Sequence, residues 1–525
     1  MAIPDTIEWP FPWQGLMTAF DRRHVPANGL RECVNLYYTS PEQLRTRGDF
    51  SHVKSAASGD ISTMLYWPHD DTIYGWDDVT DAIAFNDDPD TDPVMVLAKS
   101  GGLYTSDGST QSSISKPTDT IQGAQFQGTG TDDLSTSGSY SGDESRQYVV
   151  QITKEDSPDQ FRWSDDGGDT WNSEVDITGT AQTLSNGVEV TFGSTDGHTN
   201  RDLWYFYAYT YPDVPNGTGL LNRWGRLWTY DDDYVYWSAP LDYTKWGGLT
   251  REGGYLGIAP GHFGSIVAWM EIETSLFIWK EHALFELSGD NVQNMVLRKT
   301  AELDKALPNT VADCRKGIAY ATSQGVFPLG KPPAGDVSWT ERVDNAITLG
   351  SDSHAAYAPE VSAYIIVNGS STAWMSNQHN RPDVWTKWEL PWNATDVYMG
   401  GGTLYFGTSS GDIYKYDDLG ACSEKAYFTT GDWDGGDVAR RKGIQFIEGA
   451  FNAQANAIAN VNVYTDGNNT PAKREAIHAN DHPVFPFRAS VRTIGIKVEY
   501  SNITGPERCT GWSLRGELEK EGWIA

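Results

Sequence analysis

The sequence has few cysteines, little positive charge, no long apolar run and almost no helical periodicity. Each shortage removes a class of explanation. The four cysteines, Cys33, Cys314, Cys422 and Cys509, show no C-x-x-C spacing, which argues against zinc ribbons and dithiol redox motifs. Buried free thiols are the simplest reading, with a Cys422 to Cys509 bridge in the last segment as the alternative. Lys and Arg total 39 against 71 Asp and Glu, a formal charge of −32. Such a surface repels phosphate backbones and does not suit a nucleic-acid binder that works by displacing counterions. DNA meeting it should slide rather than stick. The same acidity keeps a protein soluble in strong salt, as a halophilic source would require. No stretch approaches the length of a bilayer span, and the opening MAIPDTIEWPFPWQ lacks a basic region followed by an apolar one. Synthesis and assembly in the cytoplasm, without membrane insertion, is the expectation.

What is abundant is turn and ring: 53 Gly, 25 Pro, 21 Trp, 26 Tyr and 18 Phe in 525 residues. That is a folded, turn-rich composition, and the length calls for two to four domains. One unit recurs: a short apolar or aromatic strand, a few turn residues, then a second aromatic strand. Seven stretches fit it, at 62–78, 94–108, 225–239, 275–290, 317–331, 362–377 and 402–418. Each places Gly, Asp, Asn or Ser at the bend, where positive φ costs little or a side-chain oxygen completes the turn. No such hairpin is stable alone. Recurrence at about 40 to 50 residues is the period of propeller blades. The expected fold is therefore all-β, a β-propeller of about seven blades.

The spacing fails once, between the second and third hairpins. Residues 109–146 are rich in Gly, Ser, Thr and Asp and read as a linker. After them, YVVQIT, FRWSDDGGDTW, LSNGVEVTFG and DLWYFYAY form a compact set of strands, read as a small β domain inserted at 147–210. Beyond residue 420 the strands lengthen, with Ile494, Ile496, Val498 and Tyr500 on one face. That pattern suits a C-terminal β-sandwich over 421–525. The propeller then occupies 50–146 and 211–420, and the irregular, aromatic residues 1–49 form an arm.

Several motifs invite a chemical reading. Ser164-x-Asp166-x-Gly168-x-Thr170-Trp171 resembles the Asp-box of sialidases and of many non-enzymatic propellers. Its residue types have a purely structural logic: Ser164 and Asp166 can bond turn amides, Gly168 permits a left-handed backbone, and Trp171 covers the hairpin. A sialidase would also need an arginine cluster, a Tyr–Glu nucleophile and an Asp acid, preceded by a Phe/Tyr-Arg-Ile-Pro motif. The nearest match, Arg23-His24-Val25-Pro26, is one residue too long, and only one complete box is present. GVFPLGKP (325–332) fails as a phosphate loop because Pro332 replaces the Ser or Thr that would hold magnesium. His478 and His482 in HANDH have helical spacing in a loop context, with no third ligand. Asp88, Asp90 and Asp92 in NDDPDTDP begin like a calcium loop but lack its Gly and distal Glu. A solvated acidic loop is the reading set against a weak calcium site, and no other cofactor is expected. YDDDY (230–234) is a hairpin bend. Trp374, Trp385 and Trp388, with Trp392, are candidates for stacking on a sugar or anchoring a partner on a propeller rim, against the alternative of blade core.

Three segments carry a family resemblance. FRWSDDGG, GVEVTFG and GHTNRDLWYF, within 148–209, resemble a module of tailed-virus tail proteins. RLWTYDDDYVYWSAPLDYTKW resembles blades of phage tail propellers, and GLRECVNLYYTSPEQLRTRGDF resembles their N-terminal segment. The resemblance implies a non-enzymatic virion tail component of nozzle, hub or tip type, assembled as a homo-oligomeric ring around the genome exit path. Its implied partners are other tail or connector proteins and, in the rival adhesin reading, a host surface glycan. It transfers no catalytic residue.

Overall fold

The computed structural model describes residues 6–7, 13–20, 24–26, 28–40, 43–56, 59–86, 92–247, 253–329, 338–379, 381–434, 441–452, 458–478, 484–501, 503 and 508–518. All regular structure among them is strand, and the fold is all-β of the propeller class. The chain divides into two compact units, Thr80–Gly261 and the remainder, Met1–Val79 with His262–Ala525.

All seven aromatic hairpins fold as antiparallel pairs, six of them in sheets of two to four strands and one in a nine-stranded sheet. In the smaller unit these are Val94–Lys99 with Gly102–Ser106, and Arg226–Asp231 with Tyr234–Trp237. In the larger unit they are Thr63–Trp67 with Thr72–Trp76, Ser275–Lys280 with Ala283–Ser288, Gly317–Thr322 with Gly325–Pro328, Ala363–Val367 with Thr372–Asn377, and Thr403–Thr408 with Asp412–Asp417. We number the blades 1 to 7 in chain order of these hairpins. Asp232, in YDDDY, takes φ of 50° at the bend of blade 3, as its position between two paired strands requires.

Within the larger unit, successive blades bury their faces on one another. Trp279 and Leu284 of blade 4 pack on Ile318 and Tyr320 of blade 5. Ile365 and Met375 of blade 6 meet Leu404 and Phe406 of blade 7, and Ile413 of blade 7 meets Met64 and Ile73 of blade 1. In the smaller unit, Val96 and Leu103 of blade 2 pack on Leu220 and Leu227 of blade 3. Blade 7 takes its outer strand, Asp49–Ser55, from the N-terminal side of the chain, paired with Asp412–Asp417.

The insertion starts earlier than its composition suggests. Thr120–Ile121 and Gln125–Gln127 pair with Leu203–Tyr209, and Leu134–Gly138 pairs with Val188–Phe192. The stretch read as a linker is therefore largely part of this two-sheet unit, whose core is Tyr148, Val150, Phe161, Val188, Phe192 and Trp204. Its Gly, Ser, Thr and Asp residues serve tight turns rather than flexibility. Asp202 accepts the Thr129 amide at 2.9 Å, and Asp133 accepts the Ser194 amide at 2.7 Å.

The C-terminal strands form a sandwich, with a second correction at its edge. One sheet holds Lys442–Asn452, Val484–Val491 and Arg508–Leu518; the other holds Ala426–Thr430, Ile458–Thr465, Lys473–His478 and Ile494–Ser501. Ile444 and Ile447 face Val461, Val463, Ile494, Ile496, Val498 and Tyr500 in a shared core. Residues 1–49 are not an irregular arm. Leu36–Ser40 and Gln43–Thr46 join the first sheet, and Leu30–Val34 joins the second. A register shift between Leu30 and Glu32, and a left-handed Asn35 at φ 59°, break the alternation that would have marked these strands. Through the pairing of Val34 with Lys387, the second sheet runs on into blade 6 and becomes nine-stranded.

Candidate binding face

The residues of the Asp-box-like segment are occupied with one another. Ser164, fully buried, donates to the Asp166 carboxylate at 2.6 Å, while its Oγ accepts the Gly168 amide at 2.9 Å. Asp166 also accepts the Thr170 amide and, at 2.5 Å, the Thr170 hydroxyl. These bonds, led by Ser164, hold its carboxyl well below the usual carboxylate range. Gly168 has φ of 103°, and Trp171 lies under the Arg162 guanidinium at 4.1 Å. Ser164, Asp166, Gly168 and Thr170 thus make these hydrogen bonds within their own turn.

A second cluster, which the sequence reading did not single out, lies in the same unit. His198, from GHTNRDLWYF, has a fully buried side chain with Nδ1 3.0 Å from Asp159 and Nε2 3.0 Å from Asp133. The His198 amide also donates to Asp159 at 3.1 Å. Phe192 and Trp204 pack their rings against the imidazole. The cluster fastens the 194–202 loop to two other segments of the insertion, and its enclosure leaves no room for a substrate.

The other sequence candidates are dispersed. Trp385 and Trp388 are wholly buried, and Trp374 is 7% exposed. Trp388 stacks on Tyr416 at 5.0 Å and Trp392 on Tyr414 at 4.7 Å. These tryptophans are core rather than a rim platform: Trp374 and Trp385 pack in the core shared with the C-terminal strands, and Trp388 between blades 6 and 7 with Trp392 against it. All four cysteines are free and buried, so Cys422 and Cys509 are not bridged. Burial pushes the Cys314 thiol up to about 12. Asp88, Asp90 and His482 lie outside the described residues, as does the side chain of His478, while Asp92 is exposed. Among the described residues no group of three or more His, Cys, Asp or Glu is placed to hold a metal ion. Gly325–Pro328 of GVFPLGKP is a strand of blade 5, not a phosphate loop.

A trough with mixed polar and apolar lining lies on the outer face of the nine-stranded sheet. It consists of three adjoining cavities of about 510, 420 and 550 Å3. The first and second share Thr18, Arg31 and Glu32, and the first and third share Tyr464 and Lys497. Strand alternation generates the floor: Val461 and Val463 point into the sandwich core, so Asn460, Asn462 and Tyr464 point out. The same rule places Lys497 and Glu499 outward between the buried Ile496, Val498 and Tyr500. Lys497 lies 4.1 Å over the Tyr427 ring and 3.5 Å from Glu499. Burial, with Glu32 and Glu389 nearby, pushes the Tyr427 hydroxyl up to about 12. Trp374 reaches the wall of the trough at its blade 6 end.

No protein-family model matches the chain, and no curated protein does. Solved structures do align with it over long stretches. The chain is similar to BamB from Moraxella catarrhalis at 10% identity, over 71% of this chain and 97% of that one, with a TM-score of 0.30. It is similar to a catalytically inactive virginiamycin B lyase from Staphylococcus aureus, solved with quinupristin, at 8% identity over 70% and 99%, with a TM-score of 0.31. A computationally designed protein, Ika8, aligns at 10% identity over 68% and 99%, with a TM-score of 0.22. Likeness this distant transfers no ligand and no activity.

Proposed function

We propose that this chain is a non-enzymatic structural protein of a tailed-virus tail, of nozzle, hub or tip type, assembled as a homo-oligomeric ring around the genome exit path. One observation carries the non-enzymatic part. The polar residues of the tail-like module, Ser164, Asp166, Thr170, His198 and Asp202, bond to one another, to the Asp133 and Asp159 carboxylates, or to neighbouring loop amides of the insertion. A motif used up in this way makes a rigid part rather than a reactive one. The resemblance of three sequence segments to tail proteins supports the setting.

Two features fit the mechanical role. Stacked blades with interlocked aromatic cores resist deformation, which a ring under ejection load requires. A charge of −32 gives a passing genome few cations to bind. Peptide mass spectrometry of gradient-purified particles tests the assignment. The chain is expected among the tail proteins at a fixed ratio to them, and its absence from infectious particles would overturn the reading. Sialoside turnover that disappears with one acidic substitution would overturn the non-enzymatic part on its own.

A further inference from the structure

We infer that the trough on the nine-stranded sheet is a binding site for an extended, uncharged oligosaccharide. Its floor offers what polyhydroxylated chains use. Asn460 and Asn462, on one strand, present amides with both donor and acceptor, Thr429 lies two strands away, and Tyr464 and Tyr427 add ring faces for stacking. Sugars combine hydroxyl edges with apolar C–H faces, and alternating amide and ring side chains match both.

Charge decides between ligand classes. Lys497 pairs with Glu499 at 3.5 Å, Lys387 with Glu389 at 3.5 Å, and Arg31 with Asp432 at 3.4 Å. These three cations are thus matched locally, leaving Arg474 of the third cavity as a single exposed cation among the described lining residues, in a molecule whose overall charge already repels polyanions. A sulfated or sialylated glycan finds no cationic clamp here. An apolar protein patch would match Phe20 and Trp374 but offer no polar partner to Asn460, Asn462, Glu475 and Glu499 of the third cavity.

Length also favours a chain over a single sugar. The trough crosses seven neighbouring strands, from Thr372–Asn377 to Lys473–His478. At ~4.8 Å per strand that is roughly 30 Å, enough for several sugar units. Phe20, 47% exposed, gives the first cavity an apolar edge. The inference gives a tail protein a surface for host glycans, but it stands on the trough alone and is tested on the purified chain without particles.

The experiment screens the full chain against immobilised neutral gluco-, manno- and galacto-oligosaccharides, with heparin and sialylated glycans alongside, and follows hits by calorimetry. At least one neutral oligosaccharide is expected to bind saturably. Tyr464→Ala and Asn462→Ala are expected to weaken it roughly tenfold or more, and Tyr464→Phe to keep most of the affinity. Tyr255→Ala, at an exposed position in the other unit, should leave it unchanged, and the melting temperature of every variant should stay that of the parent. Binding of none of the neutral glycans, preference for the anionic ones, or affinity unaltered by Tyr464→Ala and Asn462→Ala would each overturn the site.

Discussion

At the residue scale, the insertion depends on a few short polar side chains doing work usually left to a larger core. His198 shows this most clearly, because its removal would strand Asp159, only 2% exposed, and Asp133 without their shared partner. Leaving buried polar groups without a hydrogen-bond partner costs about 1–3 kcal/mol. His198→Ala is therefore expected to speed hydrogen exchange in the strands at 146–209 while blades 4 to 7 keep their protection; unchanged exchange in the insertion would refute the role given to His198. Asp166 makes the complementary case in pH. Its folded carboxyl lies below its unfolded one, so its contribution is present above the unfolded value, near ~4, and fades only as pH falls through the lower folded value. The Thr170 amide resonance should thus hold its position through the ordinary carboxylate range and move only in stronger acid. A midpoint near ~4 would show that the turn bonds do not hold the carboxylate.

At the scale of the element, the legible part of this fold was the hairpin and the illegible part was its company. Each blade hairpin announces itself because period-2 alternation and a turn residue both depend on local backbone geometry. The strands at 30–46 do not, since the shift after Leu30 and the left-handed Asn35 interrupt the period. The residues at 120–138 were hidden differently: Asp, Ser, Thr and Gly look the same in a capped turn and in a flexible linker. Burial of Trp385 and Trp388 could not be read from spacing, because it depends on strands far away in sequence. The trough was half visible in NAIANVNVYT, where Asn alternates with Val, yet an outward amide carries no motif. Closure of blade 7 gives a test at this scale. A Cβ at Gly48 would sit 1.8 Å from the Asp417 carbonyl oxygen, a backbone atom that cannot swing away. Gly48→Ala is expected to lift Asp49–Ser55 from the blade and destabilise the larger unit by about 1–3 kcal/mol or more, read by thermal melting. An unshifted melting temperature would mean that this strand contributes little.

The whole molecule holds seven blade hairpins, a polar-capped insertion and a sandwich built from strands within 30–46 and 426–518. Strands within 30–46 and 426–518 share one sandwich core, which fits the proposed load-bearing role. The acidic surface fits contact with DNA that passes without adhering. These properties support a role in a tail, and the site of that role is open to direct observation. Electron cryo-microscopy of purified particles at side-chain resolution is the most direct measurement. The account expects cyclically arranged copies of this chain around the tail channel, with Trp388 and Tyr416 stacked inside the blades. A tail whose density is fully explained by other proteins would contradict it.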